Sequence, residues 1–128
     1  MSNQGFVMSH RELKLYQTAF ESAMRVFEVA QALPAKERPL LGDQIIRSSR
    51  SVCANLAEAW QKRRYKGAFV AKLNEVEAEA AETQTWLEFA IVCDYLDAEV
   101  GQELFGKYTE IIAGAARLID HADAWVTS

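Results

Sequence analysis

The sequence predicts an all-α protein, an up-down-up-down antiparallel bundle of four helices. Half of the 128 residues are hydrophobic, whereas two are proline and six are glycine. This composition favours a compact helical protein with few loops over a disordered or all-β one. Four segments also space their apolar residues at intervals of three and four, and the connections between them are short. Helices joined by short connections pack as antiparallel neighbours, which defines the bundle.

The length indicates a single domain. A chain of this size can bury a sizeable core as one unit. We expect the bundle to occupy residues 9–126, after a flexible N-terminal tail at residues 1–8. The apolar runs are short and interrupted by charges, and the first ten residues lack the pattern of a signal peptide. We therefore predict a cytoplasmic protein that does not enter a membrane.

The first helix is predicted to begin at Ser9, whose side chain can cap it together with Glu12. Pro34 stops this helix, because proline cannot continue it. Its apolar line consists of Leu13, Tyr16, Phe20, Met24 and Phe27. We expect this line to face the core.

The other three helices follow in order. The second is expected from about Leu40 to Arg63, with a core line of Leu41, Ile45, Val52, Leu56 and Ala59. The third carries a regular seam of Phe69, Leu73, Val76, Ala80, Thr83, Leu87 and Ala90, the seven-residue repeat of left-handed helix packing. The fourth follows Asp97, whose side chain can cap it, and carries Val100, Leu104, Ile111, Ala115, Leu118 and Trp125. Its glycines, Gly101, Gly106 and Gly114, weaken it locally and can permit a close helix approach.

The sequence contains no recognised catalytic or metal-binding motif. Neither His10 nor His121 follows a glutamate by three residues, so the Glu-x-x-His step of di-iron bundles is missing. The nucleophile and phosphate-loop motifs are missing as well. Glu75, Glu79 and Glu82 share one side of the third helix, about 80–140° from its seam, which favours a solvated or intersubunit face over a metal site. We predict a protein that is not an enzyme and uses no cofactor.

The two cysteines, Cys53 and Cys93, are isolated in the sequence. They have no CxxC pattern and no histidine at a ligand spacing, so neither a zinc site nor a disulfide framework is indicated. Free cysteine is among the most buried residue types. We expect both to be reduced thiols in the core.

A polar stripe runs along the second helix. Six of its members follow steps of four and three, namely Gln44, Ser48, Ser51, Asn55, Glu58 and Lys62. Arg47, next to Ser48, is counted with them. Glu58 can pair with Lys62, four residues later. Arg47 is about 16 Å of helix rise from Glu58, so it needs a partner on another helix, another subunit or a phosphate. We interpret the stripe as a helix-to-helix or subunit contact, with ligand contact as the alternative.

Charge is unevenly distributed along the chain. The net charge is −4, yet residues 47–72 hold seven cations and one carboxylate, whereas residues 73–110 hold ten carboxylates and one cation. The candidate nucleic-acid surface, called the basic cluster below, comprises Lys62, Arg63, Arg64 and Lys66, with Trp60 and Tyr65 beside it. Cations contact phosphate, and aromatic rings stack on unpaired bases. The same four charges also fit an ordinary solvated helix end.

Two aromatic residues of the third helix point away from its seam. Trp86 and Phe89 lie about 100° and 160° from Phe69 around the helix. Large aromatics on an outer face favour a contact between subunits, for which Trp60 is a further candidate. We expect a homo-oligomer rather than a monomer.

Three blocks of residues match a family pattern. The first block is Leu13, Tyr16, Gln17 and Ala19, and the third is Phe69 and Leu73. The central block is Gln44, Ile45, Arg47, Ser48, Ser49, Ser51, Val52, Asn55, Leu56, Ala57, Glu58 and Ala59. In these blocks the sequence resembles the 23S rRNA intervening-sequence (S23-like) proteins, over about residues 10–120. It departs from them at Ala59 and Trp60, where the family favours glycines.

The resemblance implies a four-helix bundle and a homo-oligomeric ring. Some relatives, including accessory proteins of diversity-generating retroelements, form homopentamers and bind nucleic acid. Those relatives are basic whereas this chain is acidic, so the nucleic-acid role transfers poorly. We therefore predict a non-enzymatic pentameric scaffold or adaptor, with no small-molecule substrate indicated. The alternative is an RNA- or DNA-binding accessory protein that uses the basic cluster.

Overall fold

The computed structural model describes residues 9–126, and the tail predicted for residues 1–8 lies outside them. Its four long helices are α1 (Lys14–Gln31), α2 (Asp43–Gln61), α3 (Lys66–Val92) and α4 (Ala98–Asp120). Consecutive helices pack against each other, and α4 also packs against α1. This confirms the predicted four-helix bundle. A single further turn, α5 (Ala122–Trp125), packs against α3 and α4.

The core follows the predicted lines of α2, α3 and α4. All seven residues of the α3 seam are buried. Tyr108 of α4, which the sequence analysis left out, lies between Leu104 and Ile111 and is completely buried. Its hydroxyl has no hydrogen-bond partner in the described part of the chain. Burial raises the pKa of Tyr108, so the phenol stays neutral.

Helix α1 turns a different face to the core from the one predicted. Its buried residues are small or medium-sized, namely Ala19, Ser22, Val26 and Ala30. Phe20 and Met24 are instead 50% and 53% exposed. The predicted line began at Leu13, but the backbone of Leu13 is extended, with ψ of 128°. Leu13 therefore reaches the core without belonging to the helix, and it does not mark the buried face of α1.

The predicted start of the first helix at Ser9 is also wrong. Ser9 caps a short 3₁₀ turn, His10–Glu12, where its hydroxyl oxygen accepts a hydrogen bond from the Arg11 N–H at 3.2 Å. The extended Leu13 then separates this turn from α1. The cap at Ser9 therefore begins a separate short turn and not α1.

The connections between helices are short and well packed. Leu33, after α1, packs with Leu41 and Ala90 in a small second core. Leu41 belongs to a π-helical turn, Arg38–Gly42, that leads into α2. Asp97 caps α4 as predicted, since its carboxylate accepts a hydrogen bond from the Val100 N–H at 3.2 Å.

Gly101 and Gly106 lie in the same helix but in opposite surroundings. A Cβ at Gly101 would lie 2.5 Å from Cγ1 of Ile91, whereas a Cβ at Gly106 would meet nothing within 4 Å. We expect Gly106→Ala to raise the free energy of unfolding by about 0.5–1 kcal/mol through helix propensity. Gly101→Ala should lower it by about 1–3 kcal/mol, because Ile91 must move.

Urea unfolding of the two alanine variants tests this difference. Adding Ile91→Ala to each variant provides the matched background. In that background the extra methyl group at position 101 should no longer be harmful, because the side chain that it displaces is gone. Stabilisation of the native protein by Gly101→Ala, equal to that by Gly106→Ala, would contradict the close approach of α4 to Ile91.

Candidate functional site

The central part of the polar stripe lies against α3. Ser48 is fully buried, and its hydroxyl is 2.8 Å from the hydroxyl of Thr83. The side-chain amide of Asn55 donates to the carbonyl and the hydroxyl of Ser51, at 2.9 and 3.0 Å. The remaining oxygen of Asn55 accepts from Nζ of Lys72 at 3.5 Å. These side chains satisfy one another within the bundle and present little surface to a ligand.

Arg47 finds its partners on α3. Its guanidinium donates to Glu82 and, at 3.4 Å, to Glu79. These hydrogen bonds raise the pKa of Arg47. The indole N–H of Trp86 also donates to Glu82, at 3.3 Å. Glu82 thus connects the stripe of α2 to an aromatic residue near the end of α3.

Glu58 pairs with α3 rather than with its own helix. Its carboxylate lies 2.7 Å from Nζ of Lys72, so the predicted pairing with Lys62 is wrong. The hydrogen bond lowers the pKa of Glu58 and raises that of Lys72. The ion pair crosses the interface between α2 and α3. Glu58 therefore pairs with Lys72 on the neighbouring helix and not with Lys62, one turn later on its own helix. Lys62 itself is exposed.

The basic cluster is partly engaged by the protein itself. The guanidinium of Arg63 lies 3.8 Å from the ring centre of Trp60 and donates to the Trp60 carbonyl at 2.9 Å. Lys66 pairs with Asp123 of α5 at 2.9 Å. Lys62 and Arg64 are exposed and have no ion-pair partner within residues 9–126. These two side chains are the ones left to meet a polyanion.

Trp60 is a core residue, which corrects its assignment as a subunit contact. Only 4% of it is exposed. The ring of Trp125 meets it edge-on, with ring centres 5.8 Å apart, and Arg63 covers it as well. No face of Trp60 is left for another subunit or for a nucleic-acid base. Tyr65, which is 66% exposed, is the aromatic residue that this end presents to solvent.

The two ends of the bundle carry opposite charge. One end contains residues 9–14, 61–66 and 117–126, with seven Lys or Arg residues and three carboxylates. The opposite end contains residues 31–44 and 88–99, with two cations and six carboxylates. The antiparallel topology therefore gathers charges that are distant in sequence and gives the subunit a basic end and an acidic end.

An apolar groove lies at the acidic end, between the π-helical turn and the end of α3. It has a volume of about 340 Å³, and Leu40, Trp86, Phe89 and Cys93 are among its lining residues. Gln44, the first residue of the stripe, also borders it. Leu40 is 64% exposed and Phe89 is 53% exposed. We call this surface the α3 groove.

A second apolar surface lies on the outer side of α1. Phe20, Met24 and Phe27 line a depression of about 250 Å³. The guanidinium of Arg50, on α2, lies 5.4 Å from the ring centre of Phe27. We call this surface the α1 face. The sequence does show this row of large apolar residues, but the helical pattern predicts that it faces the core.

The cysteines are in different surroundings. Cys53 is buried, and burial raises its pKa to about 11, so the thiol stays protonated. Cys93 is exposed, which corrects the prediction that both lie in the core. It is the C-terminal cap residue of α3 and lines the α3 groove. Within residues 9–126, no three His, Cys, Asp or Glu side chains are grouped so that they could hold a metal ion.

The fold defines a class, the all-α four-helix bundles. The chain belongs to the 23S rRNA-intervening sequence protein family, whose model matches residues 11–116. A similar solved structure is a protein with unknown function from the S23 ribosomal protein family of Bacteroides thetaiotaomicron. The two are 30% identical with a TM-score of 0.76, and the match covers 83% of this chain and 95% of that one. None of the curated proteins matches. The family resemblance read from the sequence is thereby confirmed.

No helix in the described part of the chain is both long and apolar enough to cross a lipid bilayer.

Proposed function

We propose that the protein is a non-enzymatic scaffold or adaptor that assembles into a homo-oligomeric ring, with five subunits as the resemblance implies. The observation that carries this proposal is the α3 groove. Its members Leu40 and Phe89 are exposed, and Val92, three residues after Phe89 on α3, is 83% exposed. A monomer would keep these large apolar side chains in water, whereas a second subunit would bury them.

The arrangement of the apolar surfaces supports a ring. The α3 groove and the α1 face differ in volume and in lining residues, and they lie on different helices. The α3 groove is bordered by Glu37, and the α1 face by Arg50, so their rims are also complementary in charge. Contact between unlike surfaces is heterologous, and a heterologous contact closes into a ring when the rotation allows it.

Light scattering after size-exclusion chromatography tests the assembly. We expect a mass of about five times the 14.4 kDa of one chain at micromolar concentration. A monomer at that concentration would refute self-association. A dimer that does not grow with concentration would refute the ring, since it would indicate a closed contact between like surfaces.

Binding of RNA or DNA at the basic end is the second candidate function. Its support is the exposure of Lys62 and Arg64, which have no carboxylate partner in the described structure, on an end rich in cations. Phosphate contacts made by such side chains supply most non-specific affinity and make it depend on salt. In a ring, the basic ends of all subunits would lie on one side, which would repeat the charge.

A salt titration with single-stranded RNA tests this second function. We expect Lys62→Glu combined with Arg64→Glu to weaken binding about tenfold or more and to reduce the dependence on salt. Lys36→Glu, an exposed reversal at the acidic end, is the matched control for each of the two single reversals and should change binding little. Equal weakening by the control would show that only net charge matters and would refute a site at the basic cluster.

A further inference from the structure

A cavity of about 460 Å³ opens between the first turns of α1 and the last turns of α4. Lys14, Arg117 and His121 lie on its wall, with Leu118 and Trp125 among its apolar members. The volume is in the range of small-molecule sites, roughly 300–1,000 Å³. The cavity is distinct from both the α3 groove and the α1 face, so it is not used by the assembly proposed above.

The cations of this cavity have no partners within the bundle. Arg25, Arg47, Lys66 and Lys72 all pair with carboxylates. In residues 9–126, Lys14 and Arg117 have no such pair, although both line the same cavity. Lys14 comes from α1 and Arg117 from α4. Because like charges repel, two unpaired cations that line one cavity create a positive potential, which an anion relieves.

His121 adds a polar ring to the cavity. Its Nδ1 lies 2.9 Å from the carbonyl oxygen of Arg117. A carbonyl can only accept, so Nδ1 carries a proton and donates it in this hydrogen bond. Nε2 is thereby left to accept a hydrogen bond from a hydroxyl or amino group.

The rest of the cavity indicates a ligand larger than a simple anion. Its apolar lining includes Leu13, Leu15, Leu118 and Trp125. Glu110 also lines it, seven residues before Arg117, which corresponds to about 10 Å of helix rise. A carboxylate at that distance can accept hydrogen bonds from amino or hydroxyl groups. The lining thus combines a cationic end, an apolar middle and an acceptor.

We propose that this cavity binds a nucleoside monophosphate. Lys14 and Arg117 hold the phosphate, the apolar lining covers the base, and Glu110 accepts from an amino or ribose hydroxyl group. Gly114 also lines the cavity, and Leu15 packs on it so closely that an added Cβ would lie 2.8 Å from Leu15 Cδ1. Leu15 of α1 therefore packs directly against the backbone of α4 at Gly114.

Isothermal titration of the full chain with adenosine 5′-monophosphate tests the site. We expect one ligand per chain, and at least about tenfold weaker binding for Arg117→Ala, because a charge-assisted hydrogen bond is lost. Lys14→Ala should weaken binding in the same direction. Both side chains are exposed, and circular dichroism melting verifies that the variants stay folded. Arg11→Ala is the control, an exposed cation at the same end that lies outside both the cavity and the basic cluster.

Two half-ligands define the chemistry that is recognised. Inorganic phosphate and adenosine should each bind at least about tenfold more weakly than the intact nucleotide, since each uses only part of the lining. Three results would overturn the proposal: no heat with the nucleotide at millimolar concentration, equal affinity for inorganic phosphate, or equal weakening by Arg11→Ala. None of these results depends on the mass of the assembly, so the site and the proposed ring fail independently.

Discussion

Replacing Phe89 with glutamate is expected to convert the assembled protein to monomers without unfolding it. In the assembly, Phe89 would be buried in the contact between subunits, where a carboxylate has no partner and loses its hydration. Aromatic residues at the centre of an interface contribute most of its affinity. We expect the association constant to fall at least about a hundredfold, which is about 2.7 kcal/mol.

Stability of the subunit distinguishes this effect from damage to the fold. Phe89 is 53% exposed in the single chain, so most of its surface is already in water there. At concentrations where both proteins are monomeric, the variant should unfold within about 0.5 kcal/mol of the native chain. Trp86, which packs on the core and donates to Glu82, is a poorer probe because its loss would also weaken the fold.

Ala78→Glu is the matched control for the added charge. Ala78 is exposed on the same outer side of α3, three turns before Phe89. It lies outside both apolar surfaces. We expect the Ala78→Glu protein to keep the mass of the native assembly. Dissociation of this control would show that a negative charge anywhere on α3 disperses the subunits, which would contradict a contact centred on the α3 groove.

Mixing two defective variants tests whether the contact is heterologous. Met24→Glu disrupts the α1 face and leaves the α3 groove intact, whereas Phe89→Glu does the reverse. Each variant alone should be monomeric. An equimolar mixture should contain dimers, because one intact groove and one intact α1 face can still meet. If the mixture stays monomeric, the two surfaces do not contact each other, and the proposed ring geometry is wrong.

The sequence predicted α3 well and α1 poorly, for a physical reason. In α3, one seven-residue repeat continues along the whole seam from Phe69 to Ala90, so it leaves no choice of buried face. In α1, small residues such as Ala19 and Ala30 face the core, while Phe20 and Met24 face outward. Size identifies the buried face only when the neighbouring helices are far enough apart to admit large side chains. That spacing is a property of the assembled bundle.

The polar stripe was visible in the sequence, but its partners were not. Its spacing showed that Ser48, Asn55 and Glu58 share one side of α2. Which residues of α3 they meet depends on the rotation and the vertical offset of the two helices, and a single-helix pattern contains neither. The sequence predicts Lys62 as the partner of Glu58 because only pairs within one helix can be predicted from sequence spacing.

Trp60 shows how a distant segment can change the role of a residue. The sequence pattern of α2 alone places Trp60 at a basic, solvated helix end. The sequence pattern extended the fourth helix through Trp125, but α4 ends at Asp120 and His121 begins a new turn. The change of direction brings Trp125 against Trp60. A contact of this kind cannot be read from helical periodicity, because it requires a helix to end.

Trp60→Ala is expected to lower the free energy of unfolding by about 3–5 kcal/mol, the cost of removing a large buried aromatic side chain. Trp60 is 4% exposed and contacts both Arg63 and Trp125, so its loss leaves a cavity at the point where α5 closes the bundle. Tyr65→Ala is the control. It removes an aromatic residue that is 66% exposed at the same end, and it should cost less than about 1 kcal/mol.

A double-mutant cycle separates the contact between the two indole rings from the effect of the space that Trp60→Ala leaves in the core. Trp125→Ala should cost less than Trp60→Ala, because Trp125 is only half-buried. The double variant should be more stable than the sum of the two losses implies, since residues in contact are not additive. Urea unfolding measures all four proteins. If Trp60→Ala instead left unfolding unchanged and reduced the mass of the assembly, Trp60 would be a subunit contact after all. The packing of α5 onto the basic end would then be contradicted.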